Sequence, residues 1–248
     1  MDDLTLPEII ESSLQASSVE DLHALCRDIC ESNGFDYFIY GARFPTSLVK
    51  PFVLIVSGYP DEWRERYVER HYIATDPTVT HCVNSVRPLV WDELENGERA
   101  TDFSRRFMGE ARTFGLRSGV SMPVHGGRGE VAMLSLSSEQ SMPAVRGQIH
   151  HALPDLYLLS AYVHEAASRL VSAGKLPFKR EELTEREREC LLWAAEGKTS
   201  WETAHILGIS ERTVNFHLQN VANKLNVTSR QQAIARAVAQ GLIVPQFN

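Results

Sequence analysis

A change of pattern at residues 172–182 constrains the fold of this chain more than any other feature. The segment reads SAGKLPFKREE, in which Gly174, Pro177 and a cluster of charges follow a long helical pattern. This composition is typical of an exposed linker, because glycine and proline end helices and charges stay hydrated. Strand and helix patterns alternate before the segment, whereas every pattern after it is helical. The sequence therefore predicts two domains of different class, residues 1–171 and residues 183–248, joined by the linker 172–182.

The first 171 residues carry the alternating pattern of an α/β domain. The segments DYFIYGA, PFVLIVS, GVSMPV and EVAMLSLS are rich in aromatic and β-branched residues and are predicted to be strands. A Ser17…Glu20 capping box opens the first predicted helix, and the longest helical pattern runs from Pro143 to Ser172. The glycine-rich stretch 125–129 predicts a hairpin turn, since it lacks the Lys-Ser/Thr pair of a P-loop. We expect a sheet with helices on both sides, an α/β/α sandwich.

The distribution of charge supports the same division. The whole chain has a formal net charge of −7, which argues against a uniformly basic nucleic-acid binder. From Lys198 onward, however, five Lys and Arg residues stand against two Asp and Glu residues, so this stretch has a net charge of +3. An acidic N-terminal part and a locally basic C-terminal stretch indicate two modules with different partners.

The composition favours a folded protein of a reducing compartment. The four cysteines show no paired CxxC spacing, and Cys26 and Cys30 are expected to be small buried apolar groups on one helix. The stretch MDDLTLPEII has no basic region and no long apolar run, so no signal peptide is predicted. No window has about 18 uninterrupted apolar residues, so no membrane span is predicted. We therefore expect a cytoplasmic protein.

The C-terminal domain is predicted to be all-α, with four short helices that each have an N-terminal cap. The caps are the boxes Thr184…Glu187, Thr199…Glu202 and Ser229…Gln232, and Ser210 before the third helix. The third helix has a buried stripe of Val214, Leu218, Val221 and Leu225 opposite Arg212, Asn215, Gln219 and Asn223. The turn at Gly208 gives this helix and the preceding one the spacing of a helix-turn-helix, whose second helix enters the major groove of DNA. Amphipathicity alone leaves a four-helix protein-binding module as the alternative.

The sequence LTERERECLLWAAEGKTSWETAHILGISERTVNFHLQNVANKLNV closely resembles the DNA-binding domain of the LuxR family. Glu187, Leu191 and Gly197 stand at positions that recur in that family. The resemblance implies that Asn215 and Gln219 read the bases of double-stranded DNA. The residues that it places near phosphates are Lys198, Thr199, Ser200, Arg212, Thr213 and Lys224.

Such DNA-binding domains commonly follow a phosphorylated receiver or an autoinducer-binding domain, and the sequence lacks the Asp and Lys arrangement of a receiver. The N-terminal domain instead resembles the autoinducer-binding domain of quorum-sensing receptors. Its six recurring residues are matched here by Trp63, Tyr67, Asp76, Pro77, Trp91 and Gly119. The resemblance implies a transcriptional regulator that binds an N-acyl-homoserine lactone and requires no cofactor. It also implies a homodimer that binds a palindromic DNA site.

The polar groups of such a lactone define what its site must supply. Enclosing two carbonyls and an amide N–H costs on the order of 1–3 kcal/mol for each group left unpaired. Trp63 can only donate and suits the lactone carbonyl, whereas ionised Asp76 can only accept and suits the amide N–H. Tyr59 and Ser135 are expected to donate to the amide carbonyl. The other residues expected at the ligand are Tyr67, Thr78 and Trp91, with Val53, Ile55 and Met133 along the acyl tail.

Each of these residues also has a purely structural interpretation. Tyr59, Trp63 and Tyr67 follow a four-residue spacing that fits an aromatic face packed on a core, and Asp76 before Pro77 fits an N-cap. Two other functions are compatible with the residues. A lactone hydrolase would need a nucleophile or metal cluster, whereas the nine histidines are scattered and form no HxHxD motif. A receptor of the same fold for a non-lactone signal, or one that acts without ligand, is the second.

Overall fold

A computed structural model describes residues 5–98, 100–177 and 181–245 of the chain. These residues form two compact units. The first comprises the chain up to residue 43 together with 53–126 and 131–176, and the second comprises 44–52, 127–130 and the chain from 177 onward. Residues 178–180 of the predicted linker lie outside the described residues. No helix in the described part of the chain is long and apolar enough to cross a membrane.

The first unit is built on a five-stranded sheet. Its strands are β1 (Tyr37–Phe44), β2 (Phe52–Ser57), β3 (Leu89–Val90), β4 (Ser118–His125) and β5 (Val131–Ser138). The strand order is β2-β1-β5-β4-β3, and β5 runs antiparallel to both of its neighbours. The hairpin predicted at residues 125–129 is confirmed, because β4 and β5 pair directly on either side of it.

Helices cover both faces of this sheet. They are α1 (Leu6–Gln15), α2 (Val19–Ser32), α3 (Asp61–Glu69), α4 (Pro77–Asn84), α5 (Glu93–Asn96), α6 (Asp102–Thr113) and α7 (Met142–Ser172). On one face, Tyr40 of β1 lies 2.9 Å from the ring nitrogen of His164 in α7. On the other face, Met133 of β5 borders a cavity together with Val79 of α4. The predicted mixed α/β class is confirmed.

Two details of the N-terminal helices differ from the prediction. Helix α1 was not predicted, although Thr5 and Glu8 form a capping box at its start. The capping box predicted at Ser17 and Glu20 is wrong by one residue. Ser18 is the N-cap of α2 and accepts a 3.0 Å hydrogen bond from the Asp21 amide, while the Ser17 amide donates to the Asp21 carboxylate at 2.8 Å. The carboxylate that completes the motif is therefore Asp21.

The predicted burial of Cys26 and Cys30 is confirmed, and Cys82 and Cys190 are also free and buried. Burial, followed by the nearby charges of Asp36 and Glu31, raises the pKa of the Cys30 thiol to about 12. A thiol with such a pKa remains protonated at neutral pH and is a poor nucleophile. The cysteines consequently act as packing groups.

The second unit contains four helices with the predicted caps. They are α8 (Glu185–Ala195), α9 (Ser200–Leu207), α10 (Glu211–Lys224) and α11 (Arg230–Ala239). Thr184 and Thr199 form capping boxes, and Ser210 and Ser229 are N-caps. The last predicted box is only half formed, because the Gln232 side chain accepts from Thr228. Gly208, with a φ of 65°, ends α9 and turns the chain into α10. The predicted helical fold of this region is confirmed.

Candidate ligand pocket and DNA-binding face

A largely apolar cavity of about 100 Å³ lies between the sheet and the helical layer of the first unit. The sheet contributes Ile39, Gly41, Ile55 and Met133 to its wall. The helical side contributes the aromatic residues of α3, the start of α4 and one face of α6. The predicted site residues at this wall are Tyr59, Trp63, Tyr67, Asp76, Thr78 and Trp91. Residues that are far apart in the sequence thus meet around one cavity.

Asp76 is buried at the first turn of α4 and is only 6% exposed. Its Oδ1 accepts hydrogen bonds of 2.7 Å from both the amide and the hydroxyl of Thr78. Its Oδ2 accepts one of 2.9 Å from the Tyr67 hydroxyl. The capping interpretation is confirmed, with Pro77 at the first helical position. Because the carboxylate also borders the cavity, helix capping leaves it available to a ligand donor.

The protonation of the polar groups follows from their burial. Burial raises the pKa of the Asp76 carboxyl, and the hydrogen bonds from Thr78 and Tyr67 oppose this effect. Burial and then the Asp76 charge raise the pKa of the Tyr67 phenol. The same two causes raise the pKa of the Tyr59 phenol. Both phenols therefore keep their protons at neutral pH and can donate hydrogen bonds.

Trp63 presents its indole to the cavity from an aromatic cluster. The residue is 3% exposed. Its ring centroid lies 5.5–6.0 Å from those of Tyr67, Tyr72, Phe107 and Phe114. No residue in the described part of the chain accepts a hydrogen bond from the indole N–H. A buried indole N–H normally has an acceptor, so Trp63 offers a donor to whatever fills the cavity.

Trp91 packs directly on the backbone of Gly119. A Cβ atom at Gly119 would lie 2.9 Å from two indole carbons and 2.6 Å from the Leu136 carbonyl oxygen. The indole N–H of Trp91 donates to Ser121 Oγ at 2.9 Å, and Ser121 Oγ lies 2.7 Å from Ser135 Oγ. Ser135 is fully buried and does not line the cavity. The Trp91–Gly119 pair thus has a packing role, and the Ser135 hydroxyl is engaged inside the protein.

The residues expected along the acyl tail lie on two adjoining cavities. Ile55 and Met133 line the first cavity, whereas Val53 lines a second one of about 230 Å³. Met133 and Val79 border both. Sequence reasoning missed the part of the wall that α6 supplies, namely Phe107, Met108 and Ala111. Their helical spacing predicts burial, but it does not tell a cavity wall from a packed core.

Helix α10 of the second unit has the two faces that its sequence predicts. Val214 and Val221 are fully buried, while Arg212, Asn215 and Gln219 are exposed. The Ser200 hydroxyl donates a 2.7 Å hydrogen bond to the Asn215 side chain. At the other positions predicted near phosphates, Lys198 is partly exposed, Thr199 caps α9 and the Thr213 hydroxyl lies 2.8 Å from Ser210 Oγ.

Lys224 differs from the other predicted phosphate contacts because its ammonium group already has partners. It donates to the Glu187 carboxylate at 2.7 Å and to the Glu182 carbonyl at 3.0 Å. Burial alone would raise the pKa of Glu187, but the bonds from Lys224 and Thr184 outweigh it and hold that pKa below its usual range. The pair thus ties the C-terminal end of α10 to α8.

Phe216 is an apolar residue on the otherwise polar face of α10, and sequence reasoning missed it. Its side chain is 60% exposed and touches the ring of His217, with centroids 5.6 Å apart. At 3.6 residues per turn, Phe216 lies opposite the stripe formed by Val214 and Val221. An aromatic residue at a helix position opposite the buried stripe is therefore the sequence signal that predicts an exposed apolar contact.

Both parts of the sequence match models of known families. Residues 18–167 match the model described as "Autoinducer binding domain", and residues 181–237 match "Bacterial regulatory proteins, luxR family". The chain belongs to the LuxR family. Because an autoinducer-binding domain precedes the LuxR-type DNA-binding domain, the chain is a ligand-responsive transcriptional regulator of quorum sensing.

Individual LuxR-family relatives match over most of their length. The transcriptional activator AnoR of Acinetobacter nosocomialis is 36% identical over 236 residues, which cover 95% of this chain and 98% of AnoR. AhyR of Aeromonas hydrophila is 39% identical over 216 residues, which cover 86% of this chain and 82% of AhyR. A structure of SdiA in complex with octanoyl-rac-glycerol superimposes with a TM-score of 0.77 at 27% identity, over 100% of both chains.

Proposed function

We propose that this LuxR-family regulator senses an N-acyl-homoserine lactone in the cavity of its first unit. The observation that carries the proposal is the set of polar groups on an otherwise apolar wall. These groups are an indole N–H and a phenol without an acceptor among the described residues, and a buried carboxylate. An acylated lactone has a matching set of two carbonyls, one N–H and an apolar tail. Complementarity of this kind avoids unpaired buried groups on both partners.

Each polar group receives one role in this proposal. Trp63 donates to the lactone carbonyl, Asp76 accepts from the amide N–H, and Tyr59 donates to the amide carbonyl. Thr78 and Tyr67 support these contacts, because both donate to Asp76 and orient its carboxylate. Trp91 forms an apolar wall. Ser135 bonds to Ser121 instead, so the proposal assigns the amide carbonyl to Tyr59.

The acyl tail requires the second cavity. An apolar cavity of roughly 150 Å³ holds one benzene molecule, so the first cavity, at about 100 Å³, has room for little more than a lactone head. The second cavity, at about 230 Å³, adjoins it at Met133 and Val79 and extends to Val53. Methionine is flexible and polarisable, and its side chain adapts readily to a neighbouring chain. We therefore place the tail beside Met133, directed toward Val53.

The second unit is proposed to place α10 in the major groove of DNA. Asn215 and Gln219 contact base edges, and Phe216 packs against a thymine methyl group. The phosphate contacts in this proposal are Lys198, Thr199, Ser200, Arg212 and Thr213. Lys224 is left out, because its ammonium group holds the buried Glu187.

The protein is proposed to act as a homodimer on a palindromic site, in the cytoplasm where its DNA target is found. Two copies of a helix-turn-helix bind half-sites about one helical turn apart. Leu158 of α7 and Val238 of α11 are 43% and 57% exposed, and these two helices are the proposed interface elements. In this arrangement residues 1–171 bind the ligand, residues 172–182 form the linker and residues 183–248 bind DNA.

Thermal denaturation with N-hexanoyl-, N-octanoyl- and N-dodecanoyl-homoserine lactone tests the ligand. At 100 times the Kd, a ligand stabilises the folded state by about 2.7 kcal/mol, which raises the melting temperature by several degrees. Octanoyl-rac-glycerol is tested in the same way as a ligand without a lactone ring. If the acylglycerol raises the melting temperature and none of the lactones does, the signal is not a lactone. Chromatography of the recovered lactone tests the hydrolase alternative, because ring opening by the protein would contradict a receptor.

The length of the tail is tested on the same panel with variants of Met133. Met133→Phe is expected to weaken the binding of N-dodecanoyl-homoserine lactone more than that of the hexanoyl compound, because the phenylalanine ring narrows the junction of the two cavities. Met133→Ala opens the junction and is expected to favour the longer tail. Equal effects on all three lactones would contradict the proposed path of the tail.

A further inference from the structure

Ser137 carries a buried hydroxyl that has no hydrogen-bond partner among the described residues. The residue lies in β5 and is fully buried. Its neighbours in the strand differ from it, because Ser135 Oγ lies 2.7 Å from Ser121 Oγ and Ser138 donates to Asp36 at 2.8 Å. A buried hydroxyl without a partner destabilises the folded state, because it has lost its hydrogen bonds to water. Because such groups are rare in native proteins, this one calls for a physical explanation.

Ser137 faces the side of the sheet that borders the cavity. Side chains at every second residue of a strand point to the same face. Met133 of β5 lines the cavity, and Ser137 is four residues further along the same strand. The hydroxyl therefore points into the layer between the sheet and the helices of the ligand pocket, although Ser137 does not itself line the wall.

The phenol of Tyr59 is the neighbour that connects Ser137 to the cavity. Backbone pairing brings the two residues together, because Tyr37 lies opposite Ser137 and the carbonyl of the next residue, Phe38, accepts a 2.9 Å hydrogen bond from the Gly58 amide. Burial, followed by the Asp76 charge, raises the pKa of the Tyr59 phenol, and the Ser137 hydroxyl opposes this effect. The two oxygens do not reach hydrogen-bond geometry, since Ser137 Oγ has no partner among the described residues. Tyr59 itself lines the cavity.

We propose that Ser137 is a positioning residue for Tyr59: its hydroxyl donates to the phenol oxygen while the phenol donates to a carbonyl of the bound ligand. The inference rests on the proposed function, which places a ligand carbonyl at Tyr59. A phenol that donates a hydrogen bond becomes a better acceptor, so the two bonds strengthen each other. No proton is transferred between the two residues in this arrangement. Closing the bond gives Ser137 a partner and fixes the direction in which Tyr59 points.

A double-mutant cycle on the full-length protein tests this coupling, with N-hexanoyl-homoserine lactone as the probe. The proteins compared are wild type, Ser137→Ala, Tyr59→Phe and the double variant. Ser137→Ala is expected to weaken binding about 3- to 10-fold in the wild-type background. In the Tyr59→Phe background the same change is expected to alter binding less than about twofold, because the acceptor of the Ser137 bond is gone.

Stability measurements on the same proteins separate positioning from packing. Removing a hydroxyl without a partner is expected to leave the melting temperature measured without added lactone unchanged or slightly higher. Ser138→Ala is the matched control, since Ser138 is equally buried but lies on the opposite face of β5. It loses the bond to Asp36 and is expected to lower the melting temperature, with little effect on lactone affinity.

Two results would overturn the inference while the proposed function stands. One is lactone binding by Ser137→Ala that equals that of wild type, and the other is an equal loss in both Tyr59 backgrounds. If wild type binds no lactone, the proposed ligand is wrong, and the cycle is repeated with octanoyl-rac-glycerol, which also carries a carbonyl. Coupling with that probe would support the role of Ser137, and a lack of coupling would reject it.

Discussion

Tyr67 donates a 2.9 Å hydrogen bond to the same Asp76 carboxylate that caps the first turn of α4. An asparagine at this position would keep one oxygen for capping but replace the other by an NH2 donor. Asp76→Asn is therefore expected to weaken N-hexanoyl-homoserine lactone binding at least about tenfold, because the ligand N–H then faces a donor. Titration calorimetry measures this loss. Lactone affinity within twofold of wild type would contradict the proposed contact.

The stability of the first unit is expected to decrease as the pH rises above the ordinary pKa of an aspartate. Burial raises the pKa of Asp76, so the native state retains a proton that the unfolded chain releases. Between these two pKa values the native state binds more protons, and the free energy of unfolding falls with rising pH. Urea denaturation of wild type and Asp76→Asn measures this contribution as the difference between their pH profiles. Parallel profiles would contradict it.

Gly119→Ala is expected to destabilise the first unit by about 1–3 kcal/mol, the usual cost of an overpacked core. The added methyl group would collide with the Leu136 carbonyl oxygen and the Trp91 indole. Urea denaturation followed by tryptophan fluorescence measures the loss. Gly147→Ala in α7 is the control, because a Cβ there has nothing within 4 Å and alanine is the better helix former. Equal stability of both variants would show that the close approach is unimportant.

Phe216 is expected to contribute to DNA recognition through thymine methyl groups. A binding site selected by the full-length protein from a random DNA library is compared with copies in which single thymines are replaced by uracil. Removing the contacted methyl group is expected to weaken DNA binding by the wild-type protein about 3- to 10-fold. It is expected to leave DNA binding by Phe216→Ala almost unchanged, because that variant lacks the ring. Fluorescence anisotropy measures both affinities. The absence of any position that distinguishes the two proteins would contradict the contact.

Lys224 and Lys198 are expected to respond differently to the same substitution. Lys224→Met leaves the Glu187 carboxylate, which is 4% exposed, without its cation and should destabilise the second unit by roughly 1.5–3 kcal/mol. Lys198→Met should preserve stability and lower the salt dependence of DNA binding by about one unit of slope. Denaturation curves and DNA titrations across salt concentrations measure the two effects. The reverse outcome would identify Lys224 as the phosphate contact.

Local signals in the sequence were sufficient for most of the fold. Thr184, Thr199 and Ser210 begin their helices as predicted, because a cap and its partner are separated by only a few residues. Their content of aromatic and β-branched residues identified the long strands in the same way. The two-residue strand Leu89–Val90 was not predicted, because its extended conformation comes from pairing with β4, about 30 residues away in the chain.

Contacts that depend on distant neighbours were harder to anticipate. Trp63 and Asp76 border the cavity as expected, but Ser135 does not, because its hydroxyl meets that of Ser121 on the adjacent strand. Lys224 was predicted near phosphate because a cation on a recognition helix commonly has that role. Its pairing with Glu187 across two helices is visible only in three dimensions.

The double use of Asp76 has an evolutionary consequence. A descendant that stops responding to any small molecule would still need this carboxylate to start α4 and to hold Tyr67. The fit of Trp91 on Gly119 is likewise preserved by selection for folding alone. Retention of these residues therefore identifies the architecture of a sensor. Loss of signalling should first be visible as substitutions at positions such as Tyr59 and Met133, which border the cavity but have no comparable structural role.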